Sequence, residues 1–378
     1  FQLFVERAHR LCREGGRLGM VTPWGLAADH GCAGLRRLLL DRSEVDALVG
    51  FENSLGIFPI HRSVRFLVFS ATAGRTTAAI PARLGERDPA VLDEMEPGPD
   101  GTCSAFPIVF SRGLIERVSG ADGAIPDVRR AADLALIERL STAAPALGGR
   151  AGWGVEFGRE LNASDNRAEF REGGAGLPVL EGKHITPFRA AVSAARQRLP
   201  EAAAARLLDA ARTYARPRLA YRDVASSTNR FTLIAAIVPA GCVTVHTLFC
   251  LRTRLSRQAG HFLCAILNSF VANYYVRFRV TTHVTTGIVE RLPVPRPAAS
   301  SRGFRRISAL ASCLARASDP VSHPAFVFLQ VEVARLYGLT REEFALILDT
   351  FPLVDPEVRR RTLDAFVSAP EADGLGPC

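Results

Sequence analysis

The sequence predicts an α/β protein whose carboxyl-terminal end is helical. Short apolar runs alternate with amphipathic helical stretches over most of the chain, and strong helix-start signals follow residue 299. The 378 residues are 48% hydrophobic, so the chain is large enough to bury about two or three ordinary domain cores. We therefore expect a folded protein of more than one domain.

The first 75 residues predict helices and strands in alternation. The expected helices cover 2–12 and 32–40, and the expected strands cover 17–22, 45–51 and 64–69. Because strands that alternate with helices are typical of parallel sheets, we expect a mainly parallel, covered sheet. The Gly-, Pro- and acid-rich stretch 74–101 predicts a crossover or insertion, and a connecting helix over 126–140 precedes a domain boundary near residue 150.

The remaining residues predict a second α/β domain and then a helical tail. Expected strands cover 218–221, 231–238 and 243–251, and expected helices cover 201–214, 260–277, 303–317 and 325–337. Thr340 and Glu343 form a capping box, and Asp355 before Pro356 predicts a further helix start. The predicted parts of the chain are 1–75, 76–150, 151–298 and 299–378.

The net charge of +9 is concentrated in one part of the chain. Residues 151–298 carry 20 Lys and Arg against 10 Asp and Glu, and residues 224–289 contain no carboxylate. Cations neutralise phosphates, while Arg, Asn, Ser and Thr also read base edges, so this composition indicates a polyanion such as nucleic acid. A solvated basic face is the alternative. All basic residues except Lys183 are Arg, and a codon bias would also explain that composition.

The sequence lacks the residue patterns that several classes of site require. The eight cysteines show no Cys-x-x-Cys spacing, so we expect neither a disulfide framework nor a metal site. No apolar run reaches the roughly 18 residues of a membrane span, and a soluble, cytoplasmic protein is expected. Glu181 and Lys183, with Asp165 upstream, have the spacing of a metal-dependent nuclease site, but that spacing arises easily by chance and a structural or phosphate-contact role is favoured.

A set of segments distributed along the chain matches a known family. Before residue 75 these are FVERAHRLCREGGRLGMVT (4–22), PWGL (23–26), LRRLL (35–39), FEN (51–53) and GIFPIHRSVRF (56–66). Later segments are GWG (152–154), RELN (159–162), LEGKHI (180–185), YRDVA (221–225), TNR (228–230), LNSF (267–270), LPVP (292–295) and YGLT (337–340). Together they resemble adenine-specific DNA methyltransferases, particularly restriction-modification enzymes with a TaqI-like methylase domain. The first 75 residues would then be the tail of a Rossmann-like methyltransferase sheet, and 151–298 a target-recognition domain.

This resemblance implies methyl transfer from S-adenosylmethionine to the exocyclic amine of an adenine flipped out of the duplex. Phe58 matches the aromatic residue that stacks on the flipped base, and Pro59 favours an extended backbone there. Core packing is the alternative for Phe58. The family's glycine-rich cofactor segment and its Asn/Asp-Pro-Pro-aromatic loop precede the part that residues 4–22 resemble. We therefore expect the carboxyl-terminal part of a longer enzyme, inactive by itself, with its cofactor-binding residues elsewhere.

The resemblance and the basic segment together predict the nucleic-acid contacts. Residues expected to contact phosphates or base edges are Lys183, His184, Arg222, Asn229, Arg230, Arg277, Arg279 and His283. The expected partner is double-stranded DNA, without a membrane, and a separate methylase or nuclease subunit is a further candidate partner. Two alternatives stay open: a restriction-modification polypeptide with endonuclease activity, and a non-enzymatic DNA-specificity subunit.

Overall fold

A computed structural model describes residues 1–93, 95, 105–208 and 213–368, and the predicted α/β class with a helical carboxyl-terminal region is confirmed. The chain divides into two compact units, Phe1–Thr142 and Ala143–Cys378. None of the helices in the described residues is both long and apolar enough to cross a membrane. The finer four-part division stays a prediction.

The first unit combines a sheet with flanking helices. Its helices are α1 (Gln2–Leu11), α2 (Gly25–Ala28), α3 (Ala33–Arg42), α4 (Arg112–Ser119) and α5 (Ala131–Ala143), and its strands are β1 (Arg17–Pro23), β2 (Ser43–Glu52), β3 (Arg65–Ala73), β4 (Ala79–Glu86) and β5 (Ile108–Ser111). The predicted crossover over 74–101 is thus partly strand, because it contains β4; positions 96–101 lie outside the described residues.

The prediction of a mainly parallel sheet is wrong. The strand order is β1-β3-β2-β4-β5, and among the described strands of this sheet only β2 and β4 pair in parallel. The loop 53–64 contains a 3-10 turn (Asn53–Leu55) and no α-helix, and it reverses the chain after β2, so β3 lies between β1 and β2 and runs antiparallel to both. Consecutive parallel strands are usually connected by a crossover that contains an α-helix.

The second unit contains short strands followed by helices. Its strands are β6 (Phe157–Gly158), β7 (Arg171–Glu172), β8 (Leu177–Leu180), β9 (Ile185–Thr186), β10 (Arg189–Ala190), β11 (Gln197–Leu199), β12 (Arg218–Arg222), β13 (Ala235–Val238), β14 (Val243–Thr244) and β15 (Leu248–Leu251). Its helices are α6 (Glu201–Leu207), α7 (Arg257–Leu267), α8 (Phe270–Arg277), α9 (Thr286–Val289), α10 (Arg302–Leu314), α11 (Pro324–Leu336), α12 (Arg341–Asp349) and α13 (Pro356–Ser368).

The described strands of the second unit form three sheets. Their orders are β14-β8-β11-β7, β13-β12-β15-β6 and the pair β10-β9. In the second of these sheets β12 is antiparallel to both β13 and β15, and β15 is antiparallel to the edge strand β6. The loops that follow β6 and β12 therefore begin at two strands of this sheet that have only β15 between them.

Capping decides where the helices of the second unit begin and end. The predicted helix 260–277 is two helices, because the Asn268 side chain bonds to the backbone of Ala235 and the Ser269 hydroxyl accepts the Ala272 N–H at the start of α8. The capping box of Thr340 and Glu343 is present at α12. The predicted helix 201–214 is α6, which ends at Leu207; positions 209–212 lie outside the described residues.

Candidate nucleic-acid interface

Two basic grooves lie on the second unit. The first, which we call the Lys183 groove, has a volume of about 580 Å³ and is lined by Arg167, Phe170, Arg171, Glu172, Glu181, Lys183, His184, Ala194, Arg196 and Gln197. Four of these described residues are cationic side chains and two are carboxylates. The groove therefore carries a net positive charge.

Lys183 is held at the mouth of this groove by a single turn of 3-10 helix. Its side chain is 68% exposed, and its Nζ lies 3.0 Å from the Glu181 carboxylate. In the same turn the Glu181 carboxylate accepts the His184 backbone N–H, while the Glu181 N–H donates to His184 Nδ1 at 2.9 Å. An exposed ion pair contributes little to stability, so this reciprocal cap is what fixes the backbone that presents Lys183.

His184 is a structural residue of that cap. It is 6% exposed, and burial lowers the pKa of its imidazole, which the nearby Lys183 charge reinforces and Glu181 opposes. A neutral ring keeps Nδ1 available as an acceptor. The ring is buried and its Nδ1 accepts a hydrogen bond inside the turn, so His184 supports the turn that carries Lys183.

The second groove, which we call the Arg222 groove, has a volume of about 460 Å³. It is lined by Thr186, Pro187, Arg189, Arg222, Asn229, Arg230, Phe231, Ile234, Ser318, Asp319, Pro320 and Val321. Arg222 Nε is buried and has no hydrogen-bond partner among the described residues. A buried donor without a partner costs free energy.

Asp319 is the one carboxylate among the described residues that line the Arg222 groove. The Ser322 hydroxyl donates to it and is the main cause of its lowered pKa, with a smaller contribution from Arg230. Arg189 donates to the Ser318 carbonyl beside it. The lining of the Arg222 groove thus has three arginines and one carboxylate, and that carboxylate already accepts a hydrogen bond from the nearby Ser322 hydroxyl.

A tight turn connects the linings of the two grooves. Strands β9 and β10 are joined by Pro187 and Phe188, and Phe188 has a left-handed φ of 66°, which non-glycine residues rarely adopt. Burial holds it there, because the ring packs edge-on against Phe326 and the Phe188 N–H donates to Ala235 O at 2.9 Å. The anchored turn places Pro187 and Arg189 in the Arg222 groove.

The predicted contact residues fall into separate places. Lys183 and His184 line the first groove, and Arg222, Asn229 and Arg230 line the second. Arg277 instead bonds to the carbonyls of Thr350 and Asn229 and lies over the Phe351 ring at 3.8 Å, and burial lowers its pKa to about 10. Arg277 therefore acts as a brace for the loop that carries Asn229 and Arg230.

Neither groove is lined by Arg279 or His283. Arg279 is half-buried. His283 is exposed and its Nδ1 lies 3.2 Å from Asp223 Oδ1. Their predicted role in DNA contact stays a prediction.

Sequence reasoning missed four cations of the two grooves: Arg167, Arg171 and Arg196 in the first, and Arg189 in the second. All four lie before the acid-free segment, and acidic neighbours such as Glu169 and Glu172 hide the first two in any local charge count. Strand pairing brings them together, since β11 pairs with β7 next to Arg196. Such pairing between distant segments leaves no local signal.

In the first unit, Phe58 lies on a loop that a buried asparagine organises. Asn53 is fully buried, its amide donates to the carbonyls of Phe58 at 3.1 Å and Ile60 at 3.2 Å, and its carbonyl accepts the Phe58 N–H at 2.9 Å. Phe58 is 39% exposed and packs edge-to-face on Phe66 with centroids 4.9 Å apart. One side of the ring therefore rests on the sheet while the rest faces solvent.

The described residues contain no group of three or more His, Cys, Asp or Glu side chains arranged to hold a metal ion. Glu181 pairs with Lys183, and Asp165 is not among the described residues that line either groove. The nuclease-like spacing of Asp165, Glu181 and Lys183 therefore does not converge on one of these two grooves.

No protein-family model matches the chain, and no curated protein matches it. Among solved structures it is similar to the type IIL restriction-modification enzyme MmeI in complex with DNA, with 10% identity and a TM-score of 0.47 over 93% of this chain and 51% of that chain. It is also similar to the type IIG restriction endonuclease BpuSI, with 12% identity and a TM-score of 0.39 over 96% of this chain and 49% of that chain. A third is the HsdS subunit from Thermoanaerobacter tengcongensis, with 15% identity and a TM-score of 0.23 over 55% of this chain and 50% of that chain. The chain spans about half the length of each.

Proposed function

We propose that residues 143–378 bind double-stranded DNA through the Lys183 groove and the Arg222 groove. The observation that carries this proposal is the charge of the two linings: seven cations against three carboxylates among the described residues. Two of the three carboxylates have a partner, Glu181 with Lys183 and Asp319 with Ser322. The excess of cations over carboxylates suits phosphates, whose neutralisation releases counterions and drives association.

The salt dependence of duplex binding tests this proposal. Fluorescence anisotropy of a labelled duplex, titrated with the full chain between 50 and 200 mM salt, should show a steep loss of affinity, because each neutralised phosphate contributes about 0.9 to the slope of log K against log salt. Arg171→Gln and Arg230→Gln, one from each groove, should each reduce the slope by about one phosphate equivalent.

The matched control is Arg341→Gln, an exposed arginine at the start of α12 outside both linings. It should leave the slope unchanged. A duplex affinity that does not depend on salt, or groove variants that behave like this control, would overturn the proposal.

We further infer that the chain belongs to a site-specific adenine DNA methyltransferase, with S-adenosylmethionine as methyl donor and duplex DNA as substrate. Support comes from Phe58, whose half-exposed ring is fixed by Asn53 and Phe66, since a rigid aromatic face suits stacking on a flipped base. The apolar cavity of the first unit at Leu26, Leu67 and Ile80 has a volume of about 30 Å³, space for about one water. It does not fit the cofactor, so no cofactor-binding residue is assigned.

Base stacking can be tested with 2-aminopurine placed at a mismatch, where extrusion costs least. Stacking on Phe58 should quench its fluorescence when the full chain binds; Phe58→Ala should abolish the quenching and Phe58→Tyr should retain it. Phe328→Ala, which removes a similarly exposed phenylalanine from α11, is the control. Equal quenching by the wild type and Phe58→Ala would contradict the methyltransferase proposal and favour a DNA-specificity subunit that works with a separate methylase or nuclease.

A further inference from the structure

We propose that Arg159 is a specificity-determining residue that reads a guanine edge, and that buried Asp223 positions it for this role. The inference rests on the proposed binding of DNA by this unit. It concerns a part of the surface outside both grooves. The family resemblance includes Arg159 in the segment RELN (159–162) but gives it no role.

The Arg159 side chain is fixed on two sides. It follows the edge strand β6, and its guanidinium carbon lies 4.7 Å from the centre of the Phe249 ring on the neighbouring strand β15. Its Nη2 donates at 2.8 Å to Oδ2 of Asp223, which directly follows β12, the strand on the other side of β15. Despite these contacts the Arg159 side chain is 48% exposed.

The backbone of Arg159 is also fixed. Its carbonyl accepts from Arg252 Nη2 at 2.7 Å. The next residue, Glu160, forms a buried two-pronged pair with Arg218, with both N···O distances 2.6 Å. Because a bidentate arginine–carboxylate pair defines geometry as well as energy, the chain direction at Arg159 is set.

Asp223 is held just as firmly. Its N–H donates to Thr247 O at 3.0 Å and its carbonyl accepts from Val284 N at 2.7 Å. Its carboxylate is 3% exposed, and a buried charge is tolerated only with partners. Arg159 supplies the partner of Oδ2, whereas Oδ1, which lies 3.2 Å from His283 Nδ1, has no hydrogen-bond partner among the described residues.

This cluster differs from the grooves in charge. With histidine counted as neutral, Arg159 and Asp223 cancel, so the cluster adds little long-range attraction for a polyanion. What it offers is a planar set of directed N–H donors whose orientation is already fixed, which reduces the entropy lost when hydrogen bonds form. The commonest specific contact of such a group is the bidentate one to O6 and N7 of guanine.

Enrichment of a randomised duplex library by the full chain, followed by sequencing, tests the inference. The wild type should select a motif with a guanine at one position. Arg159→Gln should lower the preference for that guanine roughly 5- to 150-fold, without changing the salt dependence of binding. Arg159→Lys should not restore the preference, because an ammonium lacks the planar fork.

Two further variants test the positioning of Arg159. Asp223→Asn should weaken the same preference, and Phe249→Leu should weaken it without altering any charge, which keeps the test valid if the buried Asp223 variant does not fold. Lys183→Gln is the contrasting control: it should reduce the salt slope and leave the selected motif intact.

The outcomes separate this inference from the proposal on which it rests. If Arg159→Gln lowers the salt slope as Lys183→Gln does and leaves the motif unchanged, Arg159 is a phosphate contact and the inference fails while DNA binding stands. If the wild type binds duplex DNA but selects no motif, the inference also fails. If the wild type does not bind duplex DNA, the proposed function itself fails, and the inference with it.

Discussion

At the scale of single residues, the side chains that do most to shape the candidate sites are buried and lie behind the exposed ones. Phe58 and Lys183 were identified from the sequence because both lie in segments that resemble the methyltransferase family. Asn53 and Asp223 were not predicted to matter. Their roles depend on hydrogen bonds to backbone atoms of other segments, which the one-dimensional pattern does not contain.

Asn53 gives a direct test of how the Phe58 loop is held. Asn53→Ala removes the acceptor of the Phe58 N–H and the donor to the carbonyls of Phe58 and Ile60, and leaving such groups unpaired costs about 2 kcal/mol. Amide hydrogen exchange in peptides covering 54–63 should therefore become about 30-fold faster.

The control for that experiment is Asn229→Ala, an exposed asparagine of the Arg222 groove, which should leave exchange in 54–63 unchanged. Equal protection of the Phe58 loop in the wild type and Asn53→Ala would show that packing on Phe66, rather than the amide, holds the loop.

At the scale of secondary-structure elements, one cap was predicted and another was missed, and strand pairing was predicted poorly. Thr340 and Glu343 form the expected capping box, because that signal is local. The division of 260–277 into α7 and α8 was missed, since its apolar residues continue on both sides of Asn268 and Ser269. Ser269 is a local cap of α8, whereas the role of Asn268 depends on its contact with β13.

The 3-10 turn at Lys183 should respond to pH. Burial places the pKa of His184 below that of the unfolded chain, about 6.5. Its contribution to stability is thus fully present above that value and is lost as the pH falls below it, because the unfolded state then binds more protons. Thermal unfolding between pH 8 and 5 should show this loss, and His184→Gln, whose side-chain oxygen still accepts a hydrogen bond, should show less of it.

Part of the pH dependence should remain in His184→Gln. Burial also lowers the pKa of His261 in α7, so the sign of its contribution is the same and the double variant His184→Gln/His261→Gln should lose more of the dependence. If the unfolding temperature of His184→Gln depends on pH as that of the wild type does, protonation of His184 does not cause the loss of stability. The position then requires only a hydrogen-bond acceptor.

At the scale of the whole molecule, composition located the region that mattered but not its shape. The excess of arginine over 151–298 predicted a polyanion surface, and the two grooves lie within the unit that contains this stretch. Their linings combine segments up to 135 residues apart, such as Thr186 and Val321. Long-range assembly of this kind comes from tertiary packing, so the sequence could indicate a basic surface but not which arginines share a groove.

The position of β3 has a consequence for how this protein is made. β1 and β2 leave the ribosome before β3, yet they share no hydrogen bonds with each other, and each finds β3 as its neighbour. Translation from Glu52 to Ala73 takes about 1 to 4 s at bacterial-type rates of roughly 5–20 residues per second. During that interval a nascent chain exposes two apolar strands with unpaired edges, which is when a ribosome-associated chaperone would protect it most.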